Sequence, residues 1–285
     1  MAKQKPLTDA ELKAKIIAKA SQRQKDLPQG TNNKPTFPTE IVGLPSRGLV
    51  YPLDHPLSSG KVEMKYMTAK EEDILTNANL IRQGKALDKL YESLVISNGE
   101  GQPVNINDMI VGDRSAMMLA ARVLGYGNEY EVELTHPESQ KKFKHTVDLN
   151  DIKPKPFDET KFNNENRFEF ELPITKKKIV FKLQTSREQY AIEQELKRQE
   201  AAGHGGSVTT TLKHIILSID GNDDKAMIRD FVNNHLLARE SLELRNYMYD
   251  ISPDYDLTVK IDRPDVNYKG DMVLPIGTDF FWPRA

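Results

Sequence analysis

His136 and His145 are the two imidazoles that the sequence brings closest together. They flank a stretch that alternates apolar and polar residues, and the alternation predicts a hairpin whose arms would bring them near each other. With Glu138 they supply three metal ligands at best, whereas structural zinc takes four. They therefore read as polar hairpin residues. The chain has no cysteine, which removes disulfides, thiol nucleophiles and cysteine-held clusters. His204 lies in Gly203-His204-Gly205-Gly206, where glycine would let backbone N–H groups approach a phosphate. No strand feeds that stretch and no Gly-Lys-Ser/Thr follows it, so it reads as a flexible loop. His214 and His235 fall inside helical patterns and read as packed or surface residues. Glu71, Glu72 and Asp73 sit in the first turn of an expected helix, where the macrodipole favours carboxylates without catalysis. Asp220, Asp223 and Asp224 lack calcium-loop spacing and read as turn and N-cap residues. No Gly-x-Ser-x-Gly elbow occurs. The expectation is a non-enzyme with no catalytic residue, no cofactor and no metal.

Composition narrows the partners. With 40 basic and 42 acidic residues the net charge is -2, so no global field pulls the chain onto nucleic acid or an anionic membrane. Residues 1–27 hold seven Lys/Arg against three Asp/Glu, and Lys176-Lys177-Lys178 is a short basic run read as a solvated turn. No apolar run approaches a membrane span of about 20 residues, and the N-terminus is too polar for a signal peptide. Contacts with neither membrane nor nucleic acid are expected.

The pattern of elements divides the chain into a helix and linker at 1–40, a first α+β lobe at 41–150, a linker at 151–166 and a second α+β lobe at 167–285. Thr8 to Glu11 has capping-box spacing, and Leu12, Ile16 and Ile17 form a narrow stripe suited to docking. Val62, Met64 and Tyr66 predict a half-buried strand. Thr68 and Glu71 then open a helix through Ile81, ended by Gly84, and a second helix carries Leu87 to Val95. Asp113 is read as the N-cap of a third helix. Thr185 and Glu188 repeat the capping spacing. A helix through Leu212 and Ile219 and a longer one from Asp223 to about Met248 follow. A last hairpin is expected to turn at Tyr268-Lys269-Gly270.

Three matches recur in order between the halves. Lys65 to Glu71 resembles Lys182 to Glu188, Asp113 to Met118 resembles Asp223 to Ile228, and Leu134 to Pro137 resembles Ile261 to Pro264, at offsets of 117, 110 and 127 residues. They raise an internal duplication, with two similar lobes that could hold two neighbours.

The run Leu44-Pro45-Ser46-Arg47-Gly48-Leu49-Val50-Tyr51-Pro52, followed by Val62 through Leu75, resembles the opening of the tailed-phage (myophage) baseplate hub and assembly protein family. Gly112-Asp113-Arg114, Arg122 through Tyr130 and the ending Asp279-Phe280-Phe281-Trp282-Pro283 continue the likeness, which covers residues 41–285. Relatives often carry Cys-x-x-Cys pairs in two hairpins, like a zinc ribbon. Here those positions read His136-Pro137-Glu138-Ser139 and Arg263-Pro264-Asp265-Val266, so metal-free hairpins are expected. The resemblance implies a structural part of a contractile-tail baseplate, in the virion and made in the host cytoplasm. Other tail proteins, or further copies in a symmetric assembly, would be its partners. A transient assembly chaperone is the alternative. A cell-wall hydrolase would need paired acids across a cleft, and none is evident. Leu12, Ile16, Ile17, Arg47, Tyr51, Phe280, Phe281 and Trp282 are the expected partner-binding residues.

Overall fold

Val62 and Met64 are fully buried, while Lys61, Glu63 and Lys65 alternate on the opposite face, which makes this segment a one-sided strand. A computed structural model describes residues 37–203, 205–276 and 278–281. β1 (Thr39–Gly43) pairs antiparallel with β2 (Lys61–Lys65), and β2 pairs with β3 (Val95–Ser97). Between β2 and β3 run α1 (Ala69–Thr76), α2 (Ala78–Arg82) and α3 (Ala86–Leu94). The spacing predicts one helix as far as Gly84. Instead the chain breaks at Asn77, whose side-chain oxygen accepts from the N–H groups of Asn79 and Leu80 at 3.0 and 3.2 Å and starts α2.

α4 (Val111–Tyr126) follows, then β4 (Glu129–Thr135) and β5 (Lys142–Asp148) form a hairpin. Tyr130, Val132, Leu134, Phe143 and Val147 point into the core from it. Within residues 151–166, β6 (Lys153–Pro154) pairs with Tyr255 and Asp256, and Phe162 packs edge-on against Phe157 and Phe168.

The second half opens with β7 (Phe168–Glu171) and β8 (Lys178–Phe181). α5 (Ser186–Ala201) and α6 (Ser207–Ile215) then lead into β9 (Ile216–Ile219), which returns to pair with β8. The helix expected through Ile219 thus stops at Ile215. The β-branched run after it forms a strand whose Ile216 and Ile219 close the core, a choice that the pattern of isoleucines leaves open. The long helix expected from Asp223 is also divided. α7 (Lys225–Asp230), capped by Asp224, passes into a π-turn at Phe231–His235, and α8 (Ala238–Ile251) starts anew. β10 (Tyr255–Asp256), β11 (Thr258–Arg263) and β12 (Tyr268–Val273) finish the chain. The last turn falls at Pro264–Val266 and Asn267, whose φ is 55°, rather than at Tyr268-Lys269-Gly270, which lie in β12.

The architecture is α+β, with small antiparallel sheets and eight α-helices among the described residues. The halves of the unit from Pro38 onward share one apolar cluster. Backbone bonds also join them: Val111 N–H donates to Gln184 O, and Ser186 N–H donates to Met109 O, both at 2.9 Å.

Both threonine boxes form. Thr68 donates its N–H and hydroxyl to Glu71 Oε2 at 2.9 and 2.6 Å, and Thr185 makes the same pair of bonds to Glu188 Oε2. Lys65 Nζ reaches Glu71 at 2.9 Å and Lys182 Nζ reaches Glu188 at 2.7 Å. Burial alone would raise the Glu71 carboxyl. Bonds from Ser93, Thr68 and Lys65 outweigh it and hold the group at about 2. Removing either cap by Thr68→Ala or Thr185→Ala is expected to cost about 1 kcal/mol in a urea melt, with similar values at the two sites.

Candidate functional site

The Pro-Ser-Arg-Gly loop joins β1 to β2, and its shape is set from below. Ser46 is fully buried, and so is Asp113 in the first turn of α4. Asp113 Oδ1 accepts from Ser46 N–H at 2.9 Å, and Oδ2 accepts from Ser46 Oγ at 2.7 Å and Tyr51 Oη at 2.6 Å. Tyr51 Oη in turn accepts from Ile110 N–H at 3.0 Å. Asp113 is therefore not the N-cap expected from the sequence: Ile110 holds that position and the carboxylate points inward at the loop. Burial drives the Asp113 carboxyl up to about 6, against the bonds from Tyr51 and Ser46 that lower it.

With Ser46 drawn inward, Arg47 is turned out at a φ of 52°. Gly48 and Gly60 pack the base of the loop: a Cβ on Gly48 would lie 2.2 Å from Ser58 O, and one on Gly60 would lie 2.6 Å from Arg47 C. Arg47 remains largely exposed, ion-pairs with Glu159 and lies over the Phe157 ring. The loop presents one cation on a stiff support.

The second half builds the same device. In the loop between β7 and β8, Glu240 Oε1 on α8 accepts from Ile174 N–H at 3.0 Å, Thr175 N–H at 2.6 Å and Thr175 Oγ1 at 2.9 Å. Glu240 is fully buried like Asp113. The next residue, Lys176, has a φ of 57° and faces outward, as Arg47 does after Ser46. The registers match too. The β2–β3 ladder skips Ile96 between its Glu63–Ser97 and Met64–Val95 pairs, and the β8–β9 ladder skips Leu217 between Val180–Ser218 and Phe181–Ile216. The carboxylate that anchors this loop, Glu240, lies 127 residues after Asp113.

Of the other expected contact residues, Tyr51 is buried beneath the loop. Phe280 and Phe281 are buried as well, Phe280 edge-on to Tyr130 with ring centroids 5.0 Å apart. Leu12, Ile16, Ile17, Trp282 and His204 lie outside the described residues. The two hairpins pack on each other. His136 meets the Tyr268 ring edge-on, and Arg263 lies over Phe143 and donates to Lys144 O at 2.6 Å. His136 Nδ1 accepts from the N–H groups of Glu138 and Ser139, and Arg263 grips Asp265, so each turn is tied by its own side chains. Among the described residues no group of three or more His, Cys, Asp or Glu could hold a metal ion.

The sequence profile of the T4 bacteriophage base plate protein family matches residues 50–282, most of the chain. The chain belongs to that family. This makes it a bacteriophage baseplate protein. No curated protein and no solved structure shows significant similarity to it. Among the described residues no helix is long and apolar enough to cross a membrane.

Asp113 and Glu240 are the residues that sequence reasoning missed as loop anchors. The available signal was Asp113 one glycine after the apolar Met109 to Val111, since an acid that follows such a run into a core needs buried donors.

Proposed function

We propose that this baseplate protein is a structural component of a contractile tail, in the hub region, and acts only through contacts with other tail proteins. The family match over residues 50–282 carries this reading. Two features support it. The Arg47 and Lys176 loops each offer a cation on a buried carboxylate anchor, a rigid display with little ordering cost on binding. Exposed Ile41 and Ile96 lie on the outer face of the first sheet beside Glu63, an apolar spot suited to a neighbour.

The proposal extends to an origin by internal duplication. The matched capping boxes, skipped residues and loop anchors support two lobes descended from one, and two like lobes suit a part that bridges two neighbours. It also retains Leu12, Ile16, Ile17 and Trp282 as docking residues, and host cytoplasm as the place of synthesis.

Quantitative mass spectrometry of purified virions, calibrated on known tail proteins, tests this function. The expected result is a fixed low integer of copies per particle. Presence in infected-cell lysate with absence from virions would overturn it and make the protein an assembly chaperone.

A further inference from the structure

The outer face of the second sheet differs from that of the first. Two adjoining clefts of about 690 and about 390 Å³ open along it and meet at Leu217 and Asp223. Arg167, Lys178, Lys213, Lys225 and Arg229 line them, and among the described residues the side chains of these five make no ion pair and no hydrogen bond. Glu169, Asp223 and Glu195, whose bond to His214 leaves its charge in place, stand against them, while Asp220 accepts from the Lys177 ammonium and the Lys178 backbone N–H. On a chain of net charge -2 this is a local excess of uncommitted cations.

The floor is apolar, with Val180 and Leu217, and it contains one polar atom out of place. Ser218 is 4% exposed and its hydroxyl has no hydrogen-bond partner. In the first sheet the matching Ser97 hydroxyl donates to Glu63 at 2.8 Å, but the residue matching Glu63 is Val180. The second sheet has lost the acid of its counterpart and gained a rim of cations.

We propose that this face docks an extended acidic segment of another protein. Carboxylates on alternate residues of such a segment recur about every 7 Å and can reach cations along both rims, while the residues between them rest on Val180 and Leu217. A carboxylate at the floor would restore to Ser218 the kind of acceptor that Ser97 keeps. Nucleic acid fits less well. No Phe, Tyr or Trp lines the clefts to stack a base. The proposal rests on the reading that the protein acts through other tail proteins, and adds the chemistry of one of them.

The test is fluorescence anisotropy with the full chain and a labelled peptide of alternating Glu and Ala, about twelve residues long so that it crosses both clefts. Binding is expected at about 50 mM salt and should weaken steeply by about 300 mM. The double variants R167E/K178E and K225E/R229E are each expected to weaken binding by at least about tenfold. Lys141→Glu, on the distant hairpin turn, should leave binding unchanged. If a reversal lowers the melting temperature, R167Q/K225Q replaces it and should also weaken binding. No binding by the unaltered chain, equal binding by the cleft variants, or tighter binding of a single-stranded oligonucleotide of matched charge would overturn the proposal. Peptide binding by a protein absent from virions would uphold this surface while removing the protein from the finished baseplate, so the two readings fail separately.

Discussion

Asp113→Ala is expected to lower the free energy of unfolding by about 3 kcal/mol at pH 7.5, since it strands three donors in a dry site. Ser46 N–H, Ser46 Oγ and Tyr51 Oη all end on this carboxylate, and Ser46 and Asp113 have no exposure to recruit water. The loss should depend on pH. Burial first, and Asp254 in the same direction, raise the Asp113 carboxyl to about 6 from an ordinary value near 3.8. The native state therefore binds this proton more tightly than the unfolded chain does. The stability from this shift is fully present below the unfolded value and is lost as pH rises through about 6. Between pH 7.5 and pH 5 the unaltered protein should gain on the order of 1–2 kcal/mol from this group, and the alanine variant should lack that gain. Urea melts of both proteins at the two pH values measure it. Equal losses at both would show that Asp113 does not titrate where its burial places it. The variant should also free the Arg47 loop, read as faster hydrogen exchange at Leu49 and Tyr51, whose N–H groups bond Ser46 O and Gly48 O.

How far the fold could be read from sequence follows from which signals are local. Capping boxes at Thr68 and Thr185 involve residues three apart, and both form. The alternation of Tyr130, Val132 and Leu134 against Phe143 and Val147 is a strand pattern with no helical rival, and the hairpin forms. β3 and β9 were not legible. Each follows a helix with no glycine or proline between, and Val95-Ile96-Ser97 and Ile216 to Ile219 are too short to separate one period from another. What makes them strands is a long-range partner, β2 or β8. The site was hidden for the same reason. Asp113 follows apolar residues at a helix start, which is also the setting of an N-cap, and only the distant Ser46 decides its role. Glu240, the anchor of the Thr175 loop, differs from Asp113 in length and in flanking sequence. Nothing local marks it as a loop anchor, and only its bonds to Thr175 show that role. Arg47, chosen as an exposed loop cation, is exposed, but its direction comes from Ser46 being held inward.

Gly112→Ala should be the most damaging single methyl in the described chain, costing upward of about 3 kcal/mol or preventing folding. An added Cβ would stand 1.8 Å from Pro253 O, 2.9 Å from Pro253 C and 3.2 Å from Asp254 Cα. All three atoms are backbone, so no rotamer change relieves the contact and α4 must withdraw from the 253–254 turn. That turn is tied on its far side: Lys155 N–H donates to Asp254 O at 2.7 Å, and β10 directly after it pairs with β6. α4 is tied as well, through Asp113 to the Arg47 loop and through the Val111 N–H to Gln184 O. Separating them would strain the loop anchor and the joint between the halves at once. Gly127→Ala provides the contrast. Gly127 has a φ of 86° with nothing within 4 Å of an added Cβ, so only backbone strain opposes it and the expected loss is about 1 kcal/mol. Thermal melts of the two variants should therefore differ widely, with Gly112→Ala far below Gly127→Ala. Similar melting temperatures would mean that the approach of α4 to Pro253 is not a rigid constraint, and the loop above it would then owe its shape to Asp113 and its glycines alone.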